Sequence, residues 1–131
     1  MLYAMRQYVG KNVNSEKLVT LISEFFKDEG FRTVSCTCPQ GVVFMARKGG
    51  IYRALLRTDR AFLILIDGNP SDTKIKIGVS RWQVEIQQQD AQKIFQSPLS
   101  YFLEIPESLW PYELEHHLWH FIETQVELGT Q

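Results

Sequence analysis

Apolar side chains recur at steps of three and four residues between positions 15 and 29, and this spacing predicts an amphipathic helix. Its apolar face carries Leu18, Val19, Leu21, Ile22, Phe25 and Phe26. Asn14 or Ser15 is suited to cap the helix, because a short polar side chain accepts a hydrogen bond from a free backbone N–H group. Gly30 is suited to end it, because glycine adopts a left-handed backbone conformation without strain.

Short apolar runs separated by turn residues fill the segment 31–86, and they predict an antiparallel sheet. The expected strands are 31–38, 42–47, 61–66 and a half-buried strand that points Ile75, Ile77 and Val79 inward. Residues 51–58 fit either a strand or a helical turn, and we favour the strand because its neighbours are short and bounded by turns. Residues 1–13 show no clear pattern.

The sequence after residue 86 has a different pattern, which predicts helices. A short helix is expected at 90–96, and a longer one begins at Pro111 and runs to about residue 127. The apolar face of the longer helix carries Leu114, Leu118, Phe121, Ile122 and Val126.

These elements predict one α+β domain over residues 1–131. An N-terminal helix packs on a four- or five-stranded antiparallel sheet, and C-terminal helices follow. Residues 14–86 form the core of this domain, and residues 87–131 form an acidic, aromatic tail packed on it.

Charge is unevenly distributed along the chain, although the net charge is only −1. Residues 41–81 carry eight basic and three acidic side chains, whereas residues 82–131 carry one basic and eight acidic side chains. The acidic tail could therefore pair with the basic sheet, within one chain or across a dimer. Neither a spanning segment nor a signal peptide is apparent, so we expect a cytoplasmic protein without a membrane partner.

The middle of the chain resembles a family of small, uncharacterised bacterial domains. The shared features, which extend over about residues 15–82, are Ala46-Arg47-Lys48-Gly49-Gly50, the basic and apolar residues 51–60, an apolar strand, a proline-bearing loop, and Ile77-Gly78 shortly before Trp82. The resemblance implies a helix packed on a curved antiparallel sheet, similar to helix-grip domains. The family supplies no enzymatic activity that could be transferred to this chain. Members often continue into a membrane segment or a small module, whereas this chain continues into an acidic helical tail.

The Arg47-Lys48-Gly49-Gly50 segment is a candidate anion site, because the N–H groups of a glycine turn flanked by cations can hold a phosphate or carboxylate. Arg53, Arg57 and Arg60 would extend this site. The alternative is a structural turn whose neighbours are charged for solubility. The turn is not a phosphate-binding loop of the P-loop type, because the longer glycine spacing is missing.

Nucleic acid is a possible ligand of the same basic region, though not the favoured one. Phosphate contacts supply most non-specific affinity for nucleic acids, and Tyr52, Phe62 and Trp82 are available to stack on bases. The isoelectric point near 6.3 argues against this function, because dedicated nucleic-acid binders are usually basic.

Metal binding is weakly indicated. His116 and His120 lie one helical turn apart and could reach one ion, with soft ligands from Cys36 and Cys38. However, the HExxH pattern is absent, and the cysteines lack the usual two-residue spacing. We therefore predict surface histidines, free cysteines, no metal and no cofactor. No nucleophile elbow or acidic pair indicates catalysis, so we predict that the protein is not an enzyme.

The tail holds Trp110, Tyr112 and Trp119, which cannot all share the helix face of Leu114 and Leu118. Exposed aromatic residues are common at protein interfaces, so we predict that these three bind a partner. The favoured function is a non-enzymatic protein-binding, adaptor or chaperone-like module acting as a homodimer, by fold analogy with small dimeric secretion chaperones. Anion or nucleic-acid binding by the basic region is the alternative, and a metal-dependent enzyme is the third hypothesis.

Overall fold

Five strands form one antiparallel sheet in the order β1-β5-β4-β3-β2. The computed structural model describes residues 1–129, with Ile51 described by its backbone alone. The strands are β1 (Tyr3–Val9), β2 (Arg32–Cys38), β3 (Gly41–Arg47), β4 (Arg60–Asp67) and β5 (Asp72–Arg81). The helices are α1 (Ser15–Asp28), α2 (Arg53–Leu56), α3 (Gln88–Gln96) and α4 (Tyr112–Gly129), with 3-10 turns at Gly50–Tyr52, Pro98–Ser100 and Glu107–Leu109. The predicted α+β class is confirmed.

Helices cover both faces of the sheet, which explains why its central strands are apolar throughout. Phe44 and Ile64 point towards α1 and α4, where they meet Phe26 and Ile122. The intervening positions of β3 and β4, such as Leu63, point to the opposite face, which α3 covers. A strand covered on both faces excludes water from every side chain, so a continuous apolar run replaces the usual alternation.

The first helix has the predicted caps. The Asn14 side chain accepts a hydrogen bond from the Lys17 backbone N–H at 3.0 Å. Gly30 follows α1 with φ +86°, in the left-handed region that favours glycine. The periodicity of α1 also holds, because Leu18, Ile22 and Phe26 are buried.

The prediction of a strand at 51–58 is wrong. A 3-10 turn and the short helix α2 occupy this segment. Leu55 and Leu56 are buried and Tyr52 is half-buried, whereas Arg53 and Ala54 between them are exposed. Steps of three and four residues place Tyr52, Leu55 and Leu56 on one face of a helical turn. The residue after α2, Arg57, has φ 48° and ψ −157°, which ends the helix.

The fifth strand comes instead from the N-terminal segment, where no pattern was visible. β1 pairs with β5 along its whole length and lies at an edge of the sheet. Met5, Arg6 and Gln7 are exposed in succession, so the alternation that marks a half-buried strand is lost.

Among residues 1–129, no helix combines the length and apolarity needed to cross a membrane.

Candidate anion-binding site

Seven cations gather where β2 and β4 begin and β3 and β5 end. We call this group the basic end of the sheet: Arg32, Arg47, Lys48, Arg53, Arg57, Arg60 and Arg81. The antiparallel register assembles it, because Arg32 pairs with Arg47 and Arg60 pairs with Arg81. Half of the chain's fourteen Lys and Arg residues therefore lie at one end of the sheet.

Arg47 holds the backbone of this end together. Its Nη1 atom donates hydrogen bonds to the carbonyl oxygens of Arg57 and Arg60, at 2.9 and 2.8 Å. The two acceptors lie on either side of the turn that joins α2 to β4. Arg47 therefore fixes the path of the chain that carries the other arginines.

Lys48 is also bound to the backbone. Its ammonium donates a hydrogen bond to the carbonyl oxygen of Glu29, at the end of α1, and lies 5.5 Å from the centroid of the Phe31 ring. A cation at the carboxyl end of a helix complements the helix dipole. The adjacent Gly49 and Gly50 are exposed, and Gly50 has φ +70°.

Arg53 and Arg57 point their charges to solvent, because both side chains are exposed. Within residues 1–129, only one cation of the basic end forms an ion pair with a carboxylate. This cation is Arg81, whose Nη1 atom lies 3.7 Å from an oxygen of Asp59. Both of these side chains are exposed, so this pair contributes little stability. Arg32 lies over the ring of Trp82, 5.8 Å from its centroid.

Among residues 1–129, no ion pair joins the acidic tail to this basic region, contrary to one of our expectations. The tail pairs with the N-terminal segment instead. Glu123 binds Arg6 at 2.7 Å, and Glu127 binds Lys11 at 2.9 Å. Glu104 binds the N-terminal ammonium of Met1 at 2.5 Å. These three carboxylates of the tail therefore form ion pairs with the N-terminal segment.

The prediction of an open aromatic surface is wrong for Trp110 and Trp119, because both side chains are buried. Their indole N–H groups donate to the two carboxylate oxygens of Glu115, at 2.6 and 3.0 Å. One carboxylate therefore satisfies both buried donors and removes the cost of burying them. Tyr112 is the exposed member of the predicted set.

His116, His117 and His120 are exposed on α4. Among residues 1–129, no three His, Cys, Asp or Glu side chains are grouped so that they could hold a metal ion. Cys36 and Cys38 are free thiols on the face that α3 covers, whereas α4 packs on the opposite face. The predicted sulfur and histidine ligands therefore lie on different sides of the sheet. Burial raises the pKa of the Cys36 thiol, with smaller contributions from Cys38 and Asp90.

A cleft of about 360 Å³ opens beside the basic end, between the end of α1 and the start of α4. We call it the aromatic cleft. It is lined by Phe25, Glu29, Phe31, Lys48, Tyr52, Glu113, Leu114 and His117. Lys48 and Tyr52 are the lining residues that the sequence predicted as parts of an anion or nucleic-acid site. Phe25 and Phe31 belong to apolar patterns that are typical of a core, so their side chains gave no sign of a cleft.

The phenol of Tyr52 lies in an acidic part of this cleft. Burial raises the pKa of Tyr52, and the carboxylates of Glu29 and Glu113 raise it further. Like an ordinary phenol, it is protonated at neutral pH and can donate a hydrogen bond. The cleft thus places two carboxylates beside Lys48, which it shares with the basic end.

No family model, no curated protein and no solved structure matches this chain. The resemblance of residues 15–82 to small bacterial domains therefore stays a prediction.

Proposed function

We propose that the chain is a non-enzymatic binding module whose ligand is an anion held at the basic end of the sheet. The observation that carries this proposal is the charge imbalance there: seven cations, with one exposed ion pair to Asp59. Clustered like charges repel one another, so an arrangement of this kind lowers stability unless an external anion compensates it.

Two of the arginines are suited to contact the ligand directly. Arg53 and Arg57 are exposed and stand at the two ends of one helical turn, where the Arg57 N–H group donates to the Arg53 carbonyl oxygen at 2.9 Å. A guanidinium group binds phosphate or carboxylate through two parallel hydrogen bonds. Arg47 positions the chain segment that carries this pair, and its own guanidinium group donates hydrogen bonds to two backbone carbonyl groups.

A polyanion fits this surface better than a single small anion. The cations come from β2, β3, α2, β4 and β5, so they spread across the width of several strands, and neighbouring strands lie about 4.8 Å apart. A ligand with several phosphates could bind several of these cations at once.

The proposal is tested with a fluorescently labelled abasic sugar-phosphate strand of about twelve units, a length within the range of known single-strand sites. Fluorescence anisotropy gives its dissociation constant at several salt concentrations. If three to five phosphates are contacted, log K should fall with log salt with a slope of about −2 to −3.5.

The decisive variant is Arg53→Ala combined with Arg57→Ala, which should weaken binding at least about tenfold and reduce the slope by about 1. The matched control is Lys17→Ala with Lys74→Ala. This control also removes two positive charges from exposed side chains. Both lysines lie towards the opposite end of the sheet, so the affinity for the strand should change little. Equal losses in both double variants would refute a localised site.

A protein partner and a homodimer remain predictions, as does a cytoplasmic location. Two of the three aromatic side chains expected at the partner interface are buried, so we do not assign an interface to that surface.

A further inference from the structure

The aromatic cleft adjoins the basic end. Lys48 belongs to both, and Tyr52 in the cleft directly precedes Arg53 in the chain. The volume of the cleft, about 360 Å³, is within the range of small-molecule sites. A ligand bound at the basic end could therefore place one of its groups in the cleft.

Aromatic rings line the cleft and favour a flat group. Tyr52 packs against the buried ring of Phe31, with centroids 5.7 Å apart, and is fixed by edge-to-face contact with Phe62 at 5.6 Å. The ring surface open to a ligand therefore comes from Tyr52 and the half-buried Phe25. Tyr52 is only half-buried, so part of its side chain remains available to a ligand. Aromatic side chains that are held in place beside a basic surface are typical of sites where nucleobases stack.

Two carboxylates in the cleft favour flat groups that can donate a hydrogen bond. Glu29 and Glu113 line the cleft and are both exposed, and both act electrostatically on Tyr52. A carboxylate repels phosphate but accepts a hydrogen bond from the exocyclic amine of a base such as cytosine. The phosphate of a bound nucleotide would thus favour the arginines, and its base would favour the cleft.

We propose that the aromatic cleft binds an amine-bearing nucleobase whose phosphate lies on the basic end. This inference rests on the proposed anion-binding function and adds the chemical class of the ligand. The nucleotide can be free or part of a single strand, because the two share the same base and phosphate. Cytosine and thymine separate the contribution of the amine from that of stacking, since both are pyrimidines and only cytosine has an exocyclic amine.

The test compares three labelled strands of equal length and about twelve units each: oligo-cytidine, oligo-thymidine and the abasic strand. The cytosine strand should bind about tenfold more tightly than the abasic strand, and more tightly than the thymine strand. Tyr52→Leu should reduce the affinity for the cytosine strand to that for the abasic strand, and leave abasic binding unchanged. Glu29→Gln with Glu113→Gln should bring the cytosine and thymine affinities together.

The results distinguish failure of the nucleobase site from failure of anion binding. Equal affinities for all three strands, lost together in Arg53→Ala with Arg57→Ala, would overturn the nucleobase site and leave anion binding intact. Failure of every strand to bind would refute both proposals. If Tyr52→Leu does not fold, the cytosine-to-thymine ratio of the unaltered protein carries the test, and a ratio of one overturns the inference.

Competition with cytidine monophosphate identifies the source of the nucleotide. Displacement of the labelled cytosine strand at micromolar concentrations would assign a free nucleotide. Displacement only by unlabelled strands would assign a single-stranded chain. Displacement of the cytosine strand by the abasic strand at equal concentration would contradict a base-binding cleft.

Discussion

Arg47 restrains the backbone of Arg57: its Nη1 atom donates a hydrogen bond to the Arg57 carbonyl oxygen at 2.9 Å. Arg57 itself has φ 48°, in the region that favours glycine over residues with side chains. One arginine thus holds another in an unfavourable conformation at the centre of the basic end. Backbone strain of this kind is concentrated at functional sites in proteins.

Replacing Arg47 with lysine should destabilise the fold. Arg47→Lys keeps the charge, but an ammonium on a shorter, flexible chain is poorly placed to bind both carbonyl groups. We expect the free energy of unfolding to fall by about 1–2 kcal/mol, which chemical denaturation would measure. The control is Arg53→Lys at an exposed position, where the change should stay within about 0.5 kcal/mol. Equal stabilities of the two variants would show that the two hydrogen bonds contribute nothing.

Replacing Arg57 with glycine should separate stability from binding. Arg57→Gly removes the side chain from the strained position, so we expect a gain of about 0.5–1 kcal/mol after the greater backbone entropy of unfolded glycine is included. The same variant should weaken binding of the abasic strand, because an exposed cation is lost.

Asn12→Gly is the control for this effect, since Asn12 also has a positive φ, 52°. Asparagine tolerates that conformation, so its stability should change less, and it should bind the strand as before. A loss of stability in Arg57→Gly would argue against strain at this position.

Local patterns predicted the parts of the fold that depend on nearby residues. The spacing of Leu18, Ile22 and Phe26 was sufficient for α1, because the core covers one face of that helix. The basic end depends instead on strand register, which brings Arg32 and Arg81 next to residues far away in the sequence. Charge counting located an excess of cations in the middle of the chain but not their position in space.

The burial of Trp110 and Trp119 could not be predicted from helix geometry. An indole buries easily once its N–H group has an acceptor, and Glu115 supplies one acceptor oxygen to each. Sequence alone shows Glu115 as one of several acidic residues in the tail. The interaction between the three side chains appears only when Trp110 folds back against α4.

Replacing Glu115 should therefore destabilise the fold more than replacing most other acidic residues of the tail. Glu115→Ala leaves two indole N–H groups without their acceptor, and we expect a loss of about 2–3 kcal/mol in the free energy of unfolding. Glu113→Ala is the control, because Glu113 is an exposed residue on the same helix and its removal should cost less than about 1 kcal/mol. Thermal unfolding followed by tryptophan fluorescence would measure both. Similar melting temperatures would contradict the shared-acceptor interpretation.

Stability should decrease at alkaline pH because of Tyr8. Burial raises the pKa of Tyr8, the Glu123 carboxylate raises it further, and Arg6 partly opposes this. Above pH about 10 the unfolded phenol loses its proton while the folded one keeps it, so the unfolded state binds fewer protons and stability falls as pH rises. Below that pH, Tyr8 contributes no pH dependence.

Tyr8→Phe should make this alkaline decrease shallower, measured as urea unfolding between about pH 9 and pH 11. Tyr112→Phe removes an exposed phenol and should leave the decrease unchanged. Identical profiles for Tyr8→Phe and the unaltered protein would show that Tyr8 ionises equally in both states.

The most direct test of anion binding at the basic end is a titration of ¹⁵N-labelled protein with the abasic strand, followed by amide chemical shifts. We predict that the shifts cluster at residues 47–60, at Arg32 and at Arg81. Residues 10–17 and 67–74, towards the opposite end of the sheet, should not shift. Shifts centred on α4 or on that opposite end, or no shifts at all, would contradict the proposed function.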